Sequence, residues 1–296
     1  VNSGEYKLLV DLPTGSLAAE AYRIAVSSSA LETVDDGDHE HVTVHGYPET
    51  AGGADTGLTE SGKLVDERDF VMIVPQGGTI LEGMLEQVPA VVARFDAATG
   101  GEASFWTVDG RWLDDNVQAF ARWFVHPRHF DPASFPILQR LLDGEYSTSN
   151  VPFRYAASFH GMSGSQHEVV VGGQSDRTEK CFVVSEIAAE LAAAGIGSVA
   201  LYVEDPGGDW SVPNDQGAEV DPLRAYGLHG LDPDDVLARL SPNPTRTAGQ
   251  GTFMVGESSG VRNDATIRAE VAEGLADAMA TLVTTGVPSG FTCSSL

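Results

Sequence analysis

Lysine is scarce in this chain, and neither a long apolar run nor a dense basic run is present. The 17 basic residues are 14 arginines and the three lysines Lys7, Lys63 and Lys180, against 43 acidic residues, so the formal charge is -26. Proteins bind nucleic acid through basic residues that neutralise phosphates, and the lack of a basic run therefore excludes that class of partner. No apolar run reaches 18 residues, so we expect no membrane insertion.

Cysteine is also rare, and a leader-like segment is missing. Cys181 and Cys293 are too few for a disulfide framework and lack the spacing of a thiolate metal site, and we expect Cys181 to be a buried helix residue. Residues 1–5 lack the basic stretch and apolar core of a signal peptide. We therefore expect a soluble protein that is made in the cytoplasm without a cleaved signal.

The acidic residues are spread along the chain, from Glu5 to Asp277, and do not form one block. In concentrated salt, at about 1 M, repulsion between such carboxylates is screened beyond ~3 Å. A strongly charged surface also keeps a protein soluble. The pattern favours a halophilic host over a basic ligand, and the hydrophobic content of 42% argues against disorder.

Apolar, β-rich runs alternate with helical periodicity over most of the 296 residues. This pattern predicts a single α/β domain over residues 1–296, with a mixed, mainly parallel sheet and helices on both faces. Residues 30–69 are polar, acidic and Gly-rich and predict an N-terminal insertion or hairpin, and residues 204–250 predict a long loop region. The strands are predicted at 69–75, 103–108, 155–161, 168–173, 198–203 and 251–256, and the main helices at 82–97, 135–142, 178–194 and 264–283.

Three of the predicted strand ends carry residues suited to metal chemistry. Gln76 and Glu82 follow one strand, His160 ends a second, and Glu257 ends a third. Ligand sites in open α/β sheets lie at the carboxyl ends of strands. A mononuclear zinc hydrolase needs about three protein ligands, an open position for water and a carboxylate that takes the proton.

The order of these motifs resembles that of the poly-γ-glutamate hydrolase family, zinc-dependent peptidases with a carboxypeptidase/phosphorylase-like α/β fold that phages often encode. The resemblance covers roughly residues 70 to 280. It is carried by Gln76-Gly77-Gly78-Thr79-Ile80-Leu81-Glu82, Phe124-Val125-His126-Pro127, Ser158-Phe159-His160-Gly161, Val171-Gly172-Gly173 and Met254-Val255-Gly256-Glu257, with Arg262 shortly after.

The resemblance implies a role for each matching position. His160, Glu82 and Gln76 would be the metal ligands, and Glu257 would be the general base. Glu82 matches only if one residue has been inserted, because the fifth position after Gln76 is Leu81. An amide is a much weaker zinc ligand than imidazole. A glutamine at position 76 in place of histidine should therefore remove most of the affinity for zinc.

Two arginines are candidates for binding a substrate carboxylate, as the family's arginines do. These are Arg246 and Arg262, and either one could instead form an ion pair with Glu257. Phe124 stands where the family often has histidine, which removes a second polar group from the site.

The leading hypothesis is a hydrolase-like domain with a degraded zinc site, used for binding or structure, plausibly in a halophilic virus particle. Zinc is possible but expected to be absent. The partners would be further copies of this chain, virion proteins, or a polyanionic peptide or surface polymer. The competing hypothesis is an active zinc amidohydrolase or peptidase that cleaves γ-glutamyl or related amide bonds. A third is an intracellular protein with another small-molecule ligand.

Other histidines and the aromatic residues are open alternatives. His39, His41 and His45 would share one strand face, where a solvated polar strand is the favoured interpretation over a metal site. His126 and His129 flank Pro127 and could replace the missing ligand. A set of six aromatic residues is assigned to the core rather than to a sugar platform: Phe105, Trp106, Trp112, Phe120, Trp123 and Phe124.

Overall fold

Seven strands form one mixed sheet in the computed structural model of this chain, which describes residues 56–112, 115–125, 127, 130–143, 152–162, 164–203 and 235–293. The strand order is β1-β3-β2-β4-β7-β5-β6. The strands are β1 (Thr56–Lys63), β2 (Phe70–Gly78), β3 (Ser104–Trp112), β4 (Tyr155–Met162), β5 (Glu168–Gly172), β6 (Ala200–Val203) and β7 (Gly251–Ser258).

The centre of the sheet is parallel. β2 pairs in parallel with β3 and β4, and β4 pairs in parallel with β7. β1 is antiparallel to β3 at one side, and β5 is antiparallel to β7 at the other, with β6 parallel to β5. The carboxyl ends of β2, β4 and β7 therefore meet at the same edge, which we call the carboxyl edge of the sheet.

Helices cover both faces, as the sequence predicts. The helices are α1 (Val88–Thr99), α2 (Asn116–Trp123), α3 (Pro136–Asp143), α4 (Arg177–Ala193), α5 (Val236–Leu240), α6 (Ser259–Asn263) and α7 (Ala265–Thr284). The helices α1, α4 and α7 pack into one hydrophobic core with alternate strand residues, and α2, α3 and α5 pack into a second core on the opposite face. We call these the α1 face and the α2 face.

The helix predicted at 264–283 is preceded by a short separate helix, α6. Asp264 has extended backbone angles, and its side chain accepts hydrogen bonds from the backbone N–H groups of Thr266 and Ile267, so it caps α7. Within α7, Gly274 lets α4 approach closely, because a Cβ at this position would lie 2.5 Å from Ile187 Cα. The close α4–α7 contact brings the chain that follows α7 back along α4.

The two cysteines form one disulfide, which was not predicted from the sequence. Cys181 is buried in α4, as predicted, and is joined to Cys293 across 112 residues with a Cα–Cα distance of 5.4 Å. Spacing in the sequence could not indicate this pair, since the two residues meet only after α7 has packed on α4. Phe182 and Phe291 pack edge to face beside the disulfide, with ring centroids 5.4 Å apart.

The predicted insertion and long loop each contain one described element. β1 lies within residues 30–69 and α5 within residues 204–250, while residues 30–55 and 204–234 lie outside the described residues. His39, His41 and His45 are among those outside. In the part of the chain that the structure describes, no helix combines the length and the apolar character needed to span a membrane.

Candidate functional site

Gln76, His160 and Glu257 all lie at the carboxyl edge of the sheet, near the ends of β2, β4 and β7. All three side chains are buried. The end of β2 is irregular, because its pairing with β3 shifts register between Val74 and Gly77. The sequence thus predicts the edge that holds these residues, and their orientation depends on the register of the strands.

His160 and Glu257 belong to opposite faces of the sheet. In the pairing of β4 with β7, His160 lies opposite Gly256, and Glu257 lies opposite Gly161. Side chains alternate between the faces along a strand, and directly paired residues share a face. His160 is therefore in phase with the strand residues of the α2 face, and Glu257 with those of the α1 face.

The bulge in β2 turns Gln76 toward the α2 face. Regular alternation would place Gln76 on the α1 face with Val74, but its Nε2 donates to the backbone oxygen of Val125, 3.1 Å away on the α2 side. Gln76 is 5% exposed. Its amide nitrogen is thus used to hold the segment that follows α2.

His160 makes a short hydrogen bond within its own strand. Its Nε2 lies 2.7 Å from Ser158 Oγ, and both side chains are buried. Residues i and i+2 of a strand share a face, which explains why the two side chains meet. This bond engages one of the two ring nitrogens through which a histidine binds a metal.

Glu257 is a fully buried carboxyl group, and one of its two oxygens accepts a hydrogen bond. Its Oε2 accepts a hydrogen bond from Gln87 Nε2 at 3.1 Å, and Oε1 has no hydrogen-bond partner within the described residues. Burial raises the pKa of Glu257 to about 8, although the Gln87 bond and the charges of Arg262 and Arg268 act in the opposite direction. At pH 7 the group is therefore mainly protonated.

Glu82 is exposed, and Leu81 occupies the position next to the end of β4. A Cβ at Gly161 would lie 2.6 Å from Leu81 Cδ2 and 3.2 Å from Arg262 Nε, so the absent side chain of this glycine makes room for both. At the fifth position after Gln76, the apolar side chain of Leu81 therefore packs against the end of β4.

The two candidate arginines lie at opposite edges. Arg262, in α6, is near Glu257 and lowers its pKa, and its Nη2 donates to Met162 O at 3.4 Å. Arg246 precedes β7, and six residues of extended chain separate Gly251 from Glu257, roughly 20 Å. The structure thus brings Arg262, and not Arg246, to the carboxyl edge.

The described residues at the carboxyl edge do not include three His, Cys, Asp or Glu side chains whose ligand atoms converge. Among the residues with described positions, one set of three His, Cys, Asp or Glu side chains has ligand atoms within 4.8 Å of one another, and it consists of Glu190, Glu270 and Glu273. These lie on α4 and α7, where Arg94 bonds to Glu190 and Glu273 at 3.0 and 2.6 Å. His126 and His129 lie outside the described residues.

A cleft of about 360 Å³ opens at the carboxyl edge between α2 and the ends of β2 and β4. Val117 and Phe120 are 69% and 45% exposed, so the assignment of Phe120 to the core is wrong, whereas Trp106 and Trp123 are buried as expected. The cleft was not predicted from the sequence, although the apolar residues at 117 and 120 of an amphipathic helix were a visible signal. It is lined by Ile80, Leu81, Asn116, Val117, Phe120, Gly161, Met162 and Arg262.

The chain matches no family model and no curated protein. Solved structures that it resembles include a bacteriophage poly-γ-glutamate hydrolase, with 18% identity and a TM-score of 0.46 over 77% of this chain and 90% of that one. A zinc-free apo form of YNDL has 16% identity and a TM-score of 0.44, over 78% and 91% of the two chains. A metallo-carboxypeptidase from Pseudomonas aeruginosa has 13% identity and a TM-score of 0.36, over 77% and 62%.

Proposed function

We propose that this chain is a non-catalytic ligand-binding protein built on a hydrolase-type α/β sheet whose zinc centre is degraded. The observation that carries the proposal is the lining of the carboxyl edge. Where a zinc hydrolase needs converging metal ligands, the described residues form an apolar cleft that contains Leu81, Val117, Phe120 and Met162. Apolar clefts with a few polar groups are the usual form of a small-molecule binding site.

The candidate ligands and the candidate base lie on opposite faces of the sheet, which supports the proposal that the chain is not catalytic. A water-activating site needs the metal ligands and the base around the same water molecule. Here Gln76 and His160 belong to the α2 face, and Glu257 belongs to the α1 face, where Gln87 binds it. Burial also raises the pKa of Glu257 to about 8, so only a minority of this group is ionised at neutral pH.

Zinc measurement tests this proposal. The full chain, purified in high salt, is incubated with excess zinc, dialysed and measured by mass spectrometry. We expect far less than one zinc per chain, an unchanged value for His160→Ala, and no cleavage of γ-linked glutamate polymers. Stoichiometric zinc that is lost in His160→Ala, together with cleavage of the polymer, would show that the chain is an enzyme.

The alternative is an active zinc amidohydrolase for γ-glutamyl or related amide bonds. The observation that favours it is the burial of Gln76, His160 and Glu257 at the ends of three neighbouring strands. In that case another residue must complete the ligand set, since a buried amide bound to a backbone oxygen is a poor zinc ligand. Zinc retained by the parent chain and lost in both His160→Ala and Gln76→Ala would favour this alternative.

A halophilic virus particle is the setting that we propose for the binding protein. The charge of -26 supports high-salt surroundings, and the Cys181–Cys293 disulfide supports an oxidising compartment rather than a reducing cytoplasm. Partners would then be virion proteins, further copies of this chain, or a surface polymer. Detection of the chain in purified, salt-stabilised particles by mass spectrometry tests this setting, and its confinement to the cell interior would contradict it.

A further inference from the structure

We propose that the carboxyl-edge cleft binds a small monocarboxylate with a hydrocarbon chain. This assignment rests on the proposed function, since it takes the edge as a binding site and not as a zinc centre. The hydrocarbon chain would lie between α2 and the ends of β2 and β4, and the carboxylate would face Arg262. A medium-chain fatty acid such as octanoate is the simplest ligand of this chemistry.

One wall of the cleft is an exposed apolar surface on α2. Val117 and Phe120, at 69% and 45%, are the exposed large hydrophobic residues within the described part of the chain. Phe120 stacks on Phe124 with ring centroids 4.2 Å apart and an interplanar angle of 24°. Exposed apolar surface that lines a concavity marks a binding site, and the stacked ring presents a wall that needs little ordering when a ligand binds.

The opposite side of the cleft is apolar as well. Ile80 and Leu81 follow β2, and Met162 ends β4. Ile80 and Met162 are buried, and the side chain of Leu81 is partly buried beside Gly161. A hydrocarbon chain between these residues and α2 would be removed from water on two sides, which favours its binding.

The polar end of the cleft carries a positive charge. The Arg262 guanidinium lines the cleft next to Leu81, with its Nη2 3.4 Å from Met162 O. An arginine favours a carboxylate or phosphate, and the lining contains one arginine and no lysine. One guanidinium group matches the single charge of a monocarboxylate better than the double charge of a phosphate.

Size and hydrogen-bonding capacity favour a fatty acid over a peptide. The volume of about 360 Å³ is near the lower end of the range for ligand pockets, which suits a short chain and not a polymer. Besides Arg262, Asn116 is the polar side chain of the lining. A peptide would bury amide groups that one asparagine cannot satisfy, whereas a hydrocarbon chain has no such groups.

Calorimetric titration of the full chain in high salt with octanoate tests the assignment. We expect saturable binding with one octanoate per chain, and at least about tenfold weaker binding of octylamine, in which the charge is reversed. Arg262→Gln should weaken octanoate binding at least about tenfold, and Phe120→Ser about threefold or more. Arg177→Gln, at an exposed arginine of the opposite edge, is the matched control and should bind like the parent.

Circular dichroism and thermal melts of each variant show that it is folded before it is titrated. Octylamine that binds as tightly as octanoate, or octanoate binding unchanged in folded Arg262→Gln, overturns the assignment. Tighter binding of N-acetyl-leucine than of octanoate would also overturn it, in favour of a peptide carboxyl terminus. None of these results changes the zinc measurement, and zinc binding with turnover would overturn the proposed function even if octanoate also binds.

Discussion

At the edge of the sheet where β2, β4 and β7 begin, which we call the amino edge, Glu179 Oε1 accepts hydrogen bonds from Tyr155 Oη and Gly249 N, both at 2.7 Å. At the carboxyl edge, Glu257 accepts one bond from Gln87 at 3.1 Å. Burial raises the pKa of both glutamates, but the two donors at the amino edge belong to a network that fixes a loop on the sheet.

The two edges of the sheet differ in how their polar groups are hydrogen-bonded and in whether an apolar cleft is present. Asn243 shows how fully the amino edge is connected, since its side chain bonds to backbone groups of Gln174, Thr247 and Gln250. The carboxyl edge instead has an open apolar cleft, while each edge has one buried glutamate oxygen without a hydrogen-bond partner among the described residues, Glu257 Oε1 and Glu179 Oε2. Hydrogen-bond networks such as that of Asn243 stabilise a fold, and an open apolar cleft is more typical of a binding site.

The largest effect on stability is expected from Asn243→Ala at the amino edge. The substitution leaves several buried backbone groups unbonded and should lower the free energy of unfolding by about 3 kcal/mol. Denaturant titration in high salt measures it. The matched change at the carboxyl edge, Asn116→Ala, affects an exposed residue and should stay within about 0.5 kcal/mol. Equal losses of unfolding free energy in the two variants would show that the polar groups of the two edges contribute equally to stability.

Glu257→Gln should stabilise the chain in a pH-dependent manner. The ordinary pKa of 4.5 applies to the unfolded chain, and the folded value is about 8. Between these values the unfolded chain is ionised while folded Glu257 keeps its proton, so rising pH favours unfolding by up to about 1.4 kcal/mol per pH unit. Below pH 4.5 the buried glutamate does not lower the free energy of unfolding, and above pH 8 this loss of stability no longer grows.

The difference between the parent and Glu257→Gln isolates this group from the other carboxylates. Unfolding measured from pH 4 to pH 6 should show similar stability at the acid end and an advantage of about 2 kcal/mol for the variant at pH 6. A difference that is constant with pH would mean that Glu257 is ionised in the folded chain.

A smaller loss of stability is expected from Gly161→Ala. The new Cβ would lie 2.6 Å from Leu81 Cδ2 and must displace this flexible side chain, at a cost of about 1 kcal/mol. In a Leu81→Ala background the same change should cost less than about 0.5 kcal/mol, because the contact is gone. A double-mutant cycle by thermal unfolding measures the coupling. Independent effects would show that Leu81 does not pack at the end of β4.

Much of the architecture could be predicted because its signals are local. The period of apolar residues predicts β2, β4, β7, α4 and α7 within a few residues, and strand ends marked by glycine place Gln76, His160 and Glu257 at one edge. A helix such as α2 was less visible, since its Val117 and Phe120 face a cleft rather than a core.

The chemistry of the site could not be predicted in the same way, because it depends on contacts between distant segments. The disulfide joins residues 112 positions apart, and the face of Gln76 is set by a shift in strand register. Both Arg246 and Arg262 lie within a few residues of β7 in the sequence. Glu257 is near the end of this strand, so the length of β7 separates it from Arg246 but not from Arg262.

The sequence alone determined the acidic character of this chain, its α/β class and the strand ends on which polar residues stand, since composition and periodicity are properties of neighbouring residues. Only the tertiary structure decided that His160 and Glu257 point away from each other, that Leu81 packs against Gly161, and that α2 forms an apolar wall with Arg262 nearby. The physical reason is that register and packing are fixed between segments far apart in the chain, where a shift of one residue moves a side chain to the opposite face of the sheet.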